Sequence, residues 1–380
     1  MKTIPFNIPY YSKNIKKDLN QVLKNNKLTD GKIRNDTERY IEKTIKSKKI
    51  FLTQSCTNAL EACISICGLK KNDEIILPSY TFTSTANCIL LNSAKPIFAD
   101  IDPKTLNLDP IDVQKKITKK TKAIILVHYN GLSCDFEEFL KLKKKYNLFL
   151  IEDCAHAFSA KYKSRFLGTI GDLGTFSFHD TKNFPVGQGG ALSVNNKNLI
   201  KKAKIYCDKG TDRSFMGKKS YYSWKGVGSE IRATELTSSL IYSQIRSKKI
   251  IQNKRKEIWQ YYHSSLKKIK QNAFYLLDEQ YNQSKCAYHI FPIIFKNKLL
   301  RFKFTQFMKS KGVECFFHYY PLHLSSYGKF FCKYKLQNTE FVYNGLVRLP
   351  IYPNLTTKDL KKILKEISNF FKTYYLSKIY

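Results

Sequence analysis

The sequence lacks the features that define several large classes of protein. Its longest uninterrupted aliphatic run, 123–127, is far shorter than the ~20 residues that a bilayer-spanning helix needs. Residues 1–13 contain no apolar segment and no small-residue cleavage site. We therefore predict a cytoplasmic protein with no signal peptide and no membrane contact. The 43% hydrophobic composition also excludes a disordered or collagen-like chain.

Arginine is scarce for so basic a chain. Only nine of the 66 basic residues are Arg, whereas Asp and Glu total 30, so the net charge is +36. Proteins that read nucleic acid rely on Arg for bidentate contacts, but here the lysines are spread along the whole chain. We interpret the charge as compositional bias on solvated surfaces. A positive field that attracts small anionic substrates stays open as a further role.

Metal-binding cysteine motifs are also absent. None of the ten cysteines forms a CxxC pair or a Cys/His cluster with zinc spacing, so we predict no metal site. An even number of cysteines is compatible with disulfides in an oxidising compartment. For a chain of this length without a secretion signal, we expect reduced thiols instead.

Two kinds of segment alternate between residues 49 and 195. Runs rich in β-branched and aliphatic residues predict strands at 50–53, 74–77, 95–99, 122–128, 148–152, 174–178 and 190–194. Segments with helical periodicity lie between several of these strands, at 57–67, 84–92, 110–117 and 135–146. The pattern predicts an α/β fold with a mostly parallel seven-stranded sheet covered by helices. Ligands bind such a sheet beyond the carboxyl ends of its strands.

The pattern changes after this region. Residues 231–270 predict one long helix or a broken pair of helices. The rest predicts a smaller α+β unit, with strands at 286–295 and 313–317 and helices at 303–311 and 357–372. We predict a large domain at 1–250 and a small C-terminal domain at 251–380.

A pair of carboxylates stands at the end of one predicted strand. In LFLIEDCAH, 148–156, the apolar run delivers Glu152 and Asp153 to the carboxyl end. A carboxylate there is poorly solvated unless a cation faces it. The ring nitrogen of pyridoxal phosphate is one such partner, because a carboxylate keeps that nitrogen protonated. A helix N-cap is the alternative interpretation of Asp153.

A lysine follows another strand end. In GTFSFHDTKN, 174–183, the strand ends near Ser177 and Lys182 comes shortly after. A lysine held in a closed cleft loses its proton easily and can form an imine. Nearby GQGG, 187–190, permits a tight turn beside a ligand. Taken alone, Lys182 reads as one more surface lysine and GQGG as an ordinary turn.

Two further segments complete the pattern. TQSCTNAL, 53–60, runs from a strand into a helix, whose first amide groups and hydroxyls form an anion site or an ordinary cap. PSYTFTSTAN, 78–87, places Tyr80 and Phe82 where they either stack on a planar ring or pack in the core. The four segments together supply a phosphate site, a stacking ring, a carboxylate and an imine-forming lysine. They predict a pyridoxal-phosphate site.

In order and spacing, these motifs resemble the sugar-nucleotide aminotransferases of the DegT/StrS type, which have the fold of type I pyridoxal-phosphate enzymes. The similarity runs from IPFNIPYY, 4–11, to the C-terminal helix. HYNG at 128–131, KGTDRS at 209–214 and FFHYYPLH at 316–323 are most similar to the dTDP-4-amino-4,6-dideoxygalactose transaminases. The resemblance implies amination of dTDP-4-keto-6-deoxyglucose with glutamate as donor, the cofactor alternating between pyridoxal and pyridoxamine phosphate.

The resemblance also implies roles for single residues. Lys182 would bind the cofactor covalently and move the proton at the sugar carbon, while Asp153 would pair with the ring nitrogen. Phe82 would stack on the ring. His156 stands where the family usually has Gln, and it would contact the ring or its hydroxyl. The phosphate would be held by the hydroxyls and the helix turn of Ser55, Cys56, Thr57 and Ser177.

The remaining implied residues concern the substrate and a second subunit. Such sites are built at the interface of a homodimer, and many relatives reach the partner's cofactor with an Asn. Here Ser229 is the candidate at that position, since the neighbouring Glu230 would repel a phosphate. Tyr80, His318 and His323 are candidate contacts of the nucleotide sugar.

Several alternatives stay open. Some relatives carry His in place of the lysine and catalyse deoxygenation, so the presence of Lys182 favours amination. If the substrate is not dTDP-4-keto-6-deoxyglucose, it is a UDP- or GDP-linked keto sugar or a 3-keto isomer. If the chain is not an enzyme, it would be a regulatory protein that binds the cofactor without turnover, or a nucleic-acid-binding protein that uses the +36 charge.

Overall fold

The computed structural model describes residues 3–215, 221–269, 273–278 and 284–376. Its helices are α1 Ile15–Lys24, α2 Lys32–Ile45, α3 Cys56–Ile66, α4 Thr83–Leu91, α5 Pro110–Lys116, α6 Phe136–Tyr146, α7 Ile200–Cys207, α8 Glu235–Arg246, α9 Lys248–Lys267, α10 Lys298–Ser310, α11 Gln337–Gly345 and α12 Thr357–Leu376. Its strands are β1 Lys49–Thr53, β2 Glu74–Pro78, β3 Lys95–Ala99, β4 Thr121–Val127, β5 Phe149–Cys154, β6 Lys161–Tyr162, β7 Arg165–Phe166, β8 Leu173–Ser177, β9 Gly190–Val194, β10 Phe274–Leu276, β11 Ser284–Lys285, β12 Phe291–Phe295 and β13 Leu346–Leu349.

A seven-stranded sheet in the order β1-β9-β8-β5-β4-β2-β3 forms the centre of the molecule. The pairs from β8 through β5, β4 and β2 to β3 are parallel. Strand β9 is antiparallel to both of its neighbours, β8 and β1. Six strands therefore share one direction, and the sheet is mostly parallel, as the sequence predicts. Because β9 runs the other way, its first residue, Gly190, lies at the same edge as the last residues of the other six.

Both faces of this sheet are buried, which explains why its strands read as continuous apolar runs. Successive side chains of a strand point to opposite faces. In β4, Ile124 and Leu126 belong to one core cluster and Ile125 to the other. Burying an aliphatic side chain of this size contributes roughly 1.5–3 kcal/mol. The two cores thus fix the register of the strands, and with it the set of residues that reaches the carboxyl edge.

A second sheet, β10-β12-β13, anchors the C-terminal part of the chain. The predicted long helix is a broken pair, α8 and α9, which meet at Ser247. Trp259 and Tyr262 of α9 pack in a third core with this sheet, α10 and α12. Lys270, where the predicted helical region ends, lies outside the described residues. The division into 1–250 and 251–380 stays a prediction.

The strand predicted at 313–317 is wrong. The structure has two isolated bridges there instead, Ile4 with Val313 and Phe316 with Arg348. The second bridge attaches this segment to β13 shortly before residues 318–319. The apolar character of 313–317 reflects packing against the third core, which contains Val313 and borders Cys315.

All ten cysteines are free thiols, and eight of them are buried. Burial makes them small apolar core groups, as in α3 and α4, where Cys63 and Cys88 are fully enclosed. Among the described helices, none combines the length and the apolar character needed to cross a bilayer.

Candidate active site

A cavity of about 380 Å³ opens at the carboxyl edge of the central sheet. Its walls include residues that follow β1, β2, β5 and β8, together with Gly189, which precedes β9. A further wall comes from α9 and the C-terminal segments, through Arg255, His289, His318, Tyr319 and Arg348. The four segments that the sequence singled out therefore meet at one cavity, although β9 and β4 separate some of their strands within the sheet.

The start of α3 forms a cradle on one side of the cavity. Ser55 is extended, and its hydroxyl caps the helix by accepting a hydrogen bond from Asn58 N at 3.1 Å. The first N–H groups of a helix, here those of Cys56 and Thr57, have no partner within the helix. A Cβ on Gly190 would lie 2.4 Å from the carbonyl carbon of Ser55, so glycine is required for this approach.

Ser177 completes this side of the site. It ends β8 directly opposite Gly190 in the register of the two strands, and its side chain lines the cavity. Free amide groups at a helix start, with a hydroxyl beside them, are the donor set that binds a phosphate group. The hydroxyl of Thr57 shares a hydrogen bond of 2.8 Å with Ser84 Oγ, so the first turn of α4 also supports the cradle.

Asp153 is a buried carboxylate at the floor of the cavity. It accepts hydrogen bonds from Ala155 N at 3.1 Å and from Thr85 Oγ1 at 2.9 Å. Within the described residues, no ion pair joins it to a basic side chain. Burial accordingly raises the pKa of its carboxyl group, although both hydrogen bonds oppose the shift. A cation supplied by a ligand would restore the charge on this group.

Lys182 lines the same cavity from the turn after β8, where its N–H donates to His179 O at 2.8 Å. Burial lowers the pKa of its amine to about 8, against the opposing effects of Cys56 and Asp153, while Arg348 adds to the shift. A substantial fraction of the amine is therefore neutral near physiological pH. A neutral amine is the form that attacks an aldehyde.

His156 lies between two other rings. Its ring centroid is 4.2 Å from that of His289, and its Nε2 shares a hydrogen bond of 3.1 Å with the hydroxyl of Tyr319. Burial lowers its pKa well below the usual range, so the imidazole is neutral. Its Nδ1 is buried without a hydrogen-bond partner in the described part of the protein. This orphaned atom suits a polar group on a bound ring.

Phe82 is the residue before α4, and it lines the cavity with 57% of its surface exposed. Its ring centroid is 6.3 Å from that of Tyr319, at an interplanar angle of 49°. This open aromatic face borders the same cavity as Asp153 and Lys182. It is available for stacking on a planar ligand.

The candidate substrate residues fall into two groups. His318 lines the cavity, and burial together with Arg348 lowers the pKa of its imidazole. Tyr80 and His323 do not line it. Tyr80 is buried and donates to the carbonyl of His318, and His323 is buried with its Nδ1 2.6 Å from the hydroxyl of Ser79.

Ser229 lies apart from this cavity. Its side chain is exposed, and its N–H donates to Tyr206 O at 3.0 Å. The neighbouring Glu230 forms an ion pair with Lys209. Any contact of Ser229 with a cofactor would have to be made in a second subunit.

Several residues of the site were missed at the sequence level. Arg255 donates from Nε to Tyr288 O at 3.0 Å and from Nη2 to His289 O. Asn183 Oδ1 shares a hydrogen bond of 2.9 Å with His289 Nδ1. Arg348 reaches the cavity from β13. Arg255, His289 and Arg348 belong to none of the sequence motifs. Asn183 directly follows Lys182, so it is the one residue of this group that the sequence could have indicated.

The donor set fits pyridoxal phosphate. The cradle at α3 suits its phosphate, the unpaired Asp153 its ring nitrogen, and the buried amine of Lys182 its aldehyde. The free Nδ1 of His156 suits the ring hydroxyl. The cofactor would supply an electron sink for proton removal next to the amine nitrogen.

Comparison with known proteins agrees with this geometry. The model of the DegT/DnrJ/EryC1/StrS aminotransferase family matches residues 9–368. GDP-perosamine synthase of Escherichia coli O157:H7 is 29% identical, over 83% of this chain and 84% of its own. The dTDP-3-amino-3,6-dideoxy-alpha-D-galactopyranose transaminase of Aneurinibacillus thermoaerophilus is also 29% identical, over 95% and 96%.

Solved structures show the same fold. PseC of Helicobacter pylori, an aminotransferase involved in the biosynthesis of pseudoaminic acid, superposes with a TM-score of 0.90 at 26% identity. The match covers 98% of this chain and all of that chain. The central sheet and the C-terminal unit therefore both have counterparts in that enzyme.

Proposed function

Because the chain belongs to the DegT/DnrJ/EryC1/StrS family of sugar-nucleotide aminotransferases, with pyridoxal 5′-phosphate as cofactor, we propose that its substrate is dTDP-4-keto-6-deoxyglucose. The product would be dTDP-4-amino-4,6-dideoxygalactose, and glutamate the amino donor. The observation that carries the amination chemistry is the presence of Lys182 and Asp153 in one cavity, each influencing the pKa of the other.

The proposed residue roles follow from the contacts. Asp153, positioned by Thr85 and Ala155, holds a positive charge on the ring nitrogen of the cofactor. Lys182 would hold the cofactor covalently and would move the proton at the reacting carbon of the sugar. Its lowered pKa serves this second task, since a general base works best with a pKa near the working pH.

The binding roles are divided between the walls of the cavity. Ser177 and the first turn of α3, Cys56 and Thr57 with the cap Ser55, hold the phosphate. Phe82 stacks on one face of the ring, and His156 offers Nδ1 to the ring hydroxyl. His318 contacts the sugar. For Tyr80 and His323 we propose support of the segments that border the sugar.

We propose that the working form is a homodimer. Trp224 and Val227 are 81% and 78% exposed, and apolar side chains so open mark an interaction surface. The same segment lies close to the cofactor cradle, because Gln54 Nε2 donates to Glu230 O at 3.2 Å. In the dimer, Ser229 would reach the phosphate in the partner subunit.

We also propose a cytoplasmic location and the two-domain division at residue 250. Ten free thiols agree with a reducing compartment. The central sheet and the sheet of the C-terminal unit have separate hydrophobic cores, which supports two domains.

A specific observation favours a second substrate class. By their names, the two relatives described above form a GDP-linked sugar and a dTDP-linked 3-amino sugar. A GDP- or UDP-linked keto sugar, or a 3-keto isomer, is therefore the alternative.

The experiment is a substrate panel with the purified, cofactor-loaded protein and glutamate. We expect dTDP-4-keto-6-deoxyglucose to be aminated with the highest kcat/KM, and mass spectrometry with NMR of the product to place the amine at C4. Higher kcat/KM for a 3-keto, UDP- or GDP-linked sugar would replace the proposed substrate. Cofactor binding without turnover of any keto sugar would instead indicate a regulatory protein.

A further inference from the structure

A buried cation that has no anionic partner among the described residues lies in the wall of the active-site cavity. Arg348 lies on β13, is buried, and lines the cavity. Its Nε is buried and donates to no acceptor in the described part of the chain, and its side chain forms no ion pair there. Within the ranges that the structure covers, the one ring that its guanidinium contacts is Phe6, whose centroid is 4.7 Å from Cζ.

The other cations of the cavity are accounted for. Arg255 is held by the carbonyl groups of Tyr288 and His289. Lys182 is assigned to the cofactor. The single acidic residue in the described lining, Asp153, has its own role at the ring nitrogen. Arg348 is therefore a permanent positive charge that the protein buries beside the reacting groups and leaves unneutralised, an arrangement that is costly unless an anion arrives.

The position of Arg348 indicates which anion this is. The phosphate cradle lies at the start of α3, on the large sheet, whereas Arg348 enters from the C-terminal sheet. Its backbone pairs with Pro292 of β12 on one side and with Phe316 on the other, where Arg348 N donates to Phe316 O at 2.7 Å. Its charge lowers the pKa of Lys182, His156 and His318. The guanidinium thus acts on the part of the cavity where the amine reacts.

The two substrates of the proposed reaction carry their negative charges in different places. A nucleotide sugar bears its diphosphate at C1, several bonds away from a keto group at C4 or C3. An amino acid bears a carboxylate on the reacting carbon itself. A cation that acts on the reacting amine is therefore matched to the amino donor, and guanidinium binds carboxylate with two parallel hydrogen bonds.

We propose that Arg348 binds the α-carboxylate of the amino donor, a contact that only the first half of the reaction uses. The inference rests on the proposed function, because it assumes that an amino acid supplies the nitrogen. It predicts that the two half-reactions respond differently to loss of the guanidinium.

The test compares Arg348→Gln and Arg348→Lys with Arg39→Gln, a matched change at an exposed arginine on α2. The first readout is calorimetric binding of 2-methylglutamate to the cofactor-loaded protein. This probe keeps the carboxylate but has no proton on the reacting carbon, so it cannot be turned over. We expect Arg348→Gln to weaken binding by about 10- to 100-fold, Arg348→Lys to restore part of it, and Arg39→Gln to bind like the wild type.

The second readout is single-turnover absorbance of each half-reaction. We expect Arg348→Gln to slow the reaction with glutamate by a similar factor and to affect the keto-sugar half-reaction much less, only through the altered pKa of Lys182. Unchanged 2-methylglutamate binding, no binding by the wild type, or an equal loss in both half-reactions overturns the proposal. If no keto sugar reacts but 2-methylglutamate binding and the glutamate half-reaction depend on Arg348, the arginine assignment holds and the proposed sugar substrate fails.

Discussion

At the scale of single residues, Lys182 differs from the other lysines of this chain by its surroundings. Most basic side chains lie on solvated surfaces, where water stabilises the ammonium form. Lys182 sits in a cavity with apolar and aromatic walls, and burial lowers its pKa to about 8. The same amine on an exposed lysine titrates near 10.5. The local environment, and not the residue type, makes this side chain reactive.

A pH dependence follows from this shift. We expect the rate at which cofactor-free protein binds pyridoxal phosphate covalently to rise through a midpoint near pH 8, because the neutral amine becomes dominant above its pKa. Stopped-flow absorbance between pH 6 and pH 10 measures it, with Nα-acetyl-lysine as the exposed reference. A midpoint close to that of the reference would show that Lys182 is not desolvated.

The neighbouring carboxylates Glu152 and Asp153 have different roles because they point to opposite faces of β5. Glu152 is fully buried and accepts hydrogen bonds from the N–H groups of Gly168, Ile170 and Gly171 at 2.6–2.7 Å. It lies close enough to His128 and Cys154 to resemble a metal ligand set. Its oxygens are already committed to the backbone of the loop before β8, so its role is structural.

This contrast predicts that two similar substitutions affect different properties, the free energy of unfolding at Glu152 and the rate of amino transfer at Asp153. Glu152→Gln should lower the free energy of unfolding by about 2–4 kcal/mol, because an amide NH₂ would face backbone donors. Asp153→Asn should change it by less than about 1 kcal/mol but slow amino transfer at least about 100-fold. Urea unfolding and steady-state kinetics measure both. Equal loss of stability in the two variants would contradict the division of roles.

At the scale of elements, the reversed direction of β9 builds the phosphate cradle. Because β9 begins at the edge where the other strands end, Gly190 packs against the backbone of Ser55 and Cys56 at the start of α3. The cradle thus depends on a close approach between a strand start and a helix start, which any side chain at residue 190 would prevent.

Gly190→Ala should therefore displace the first turn of α3. We expect a loss of about 1–3 kcal/mol in the free energy of unfolding from overpacking, and about a 10-fold weaker affinity for pyridoxal phosphate. Affinity for pyridoxal, which has no phosphate, is the internal control and should stay the same. A parallel loss for both ligands would mean that the change disrupts the ring site as well.

Much of this architecture was predictable because the strands and helices of the large sheet are set by local patterns. All seven strands and the helices between them appear within a residue or two of the predicted bounds. Asp153 and Lys182 line one cavity at the carboxyl edge of the sheet, since parallel strands end together, and their roles there stay predictions. The strand predicted at 313–317 failed because its apolar residues serve core packing.

The rest of the site depends on contacts between distant segments. The cavity is completed by Arg348 from β13, His289 from the segment before β12 and Arg255 from α9. The positions of these side chains depend on how the C-terminal unit packs on the central sheet. Tyr80 and His323 carry the residue types expected near a sugar. Their hydroxyl and ring atoms are instead bound to His318 O and Ser79, which only the tertiary structure reveals.

At the scale of the whole molecule, the open apolar surface near the cofactor cradle predicts association. Trp224→Ser combined with Val227→Ser should convert the proposed dimer to a monomer and weaken cofactor affinity, because Ser229 would lose its place in the partner. Sedimentation velocity measures the mass. Leu299→Ser, an exposed apolar residue on α10, is the control and should leave the dimer intact. A wild-type monomer would contradict the proposed assembly.

The +36 charge belongs to the same scale. A positive field raises the rate at which an anionic substrate reaches its site, and the effect weakens with salt. A nucleotide sugar, which carries a diphosphate, is such a substrate. The charge is therefore compatible with the proposed function without being its cause.

The central claim is that one lysine among 57 in the chain binds the cofactor covalently. The most direct measurement is reduction of the cofactor-loaded protein with borohydride, followed by peptide mapping by mass spectrometry. The account predicts a single modified residue, Lys182, and no stable modification in Lys182→Ala. Modification at another lysine, or an equal distribution over several, would contradict it.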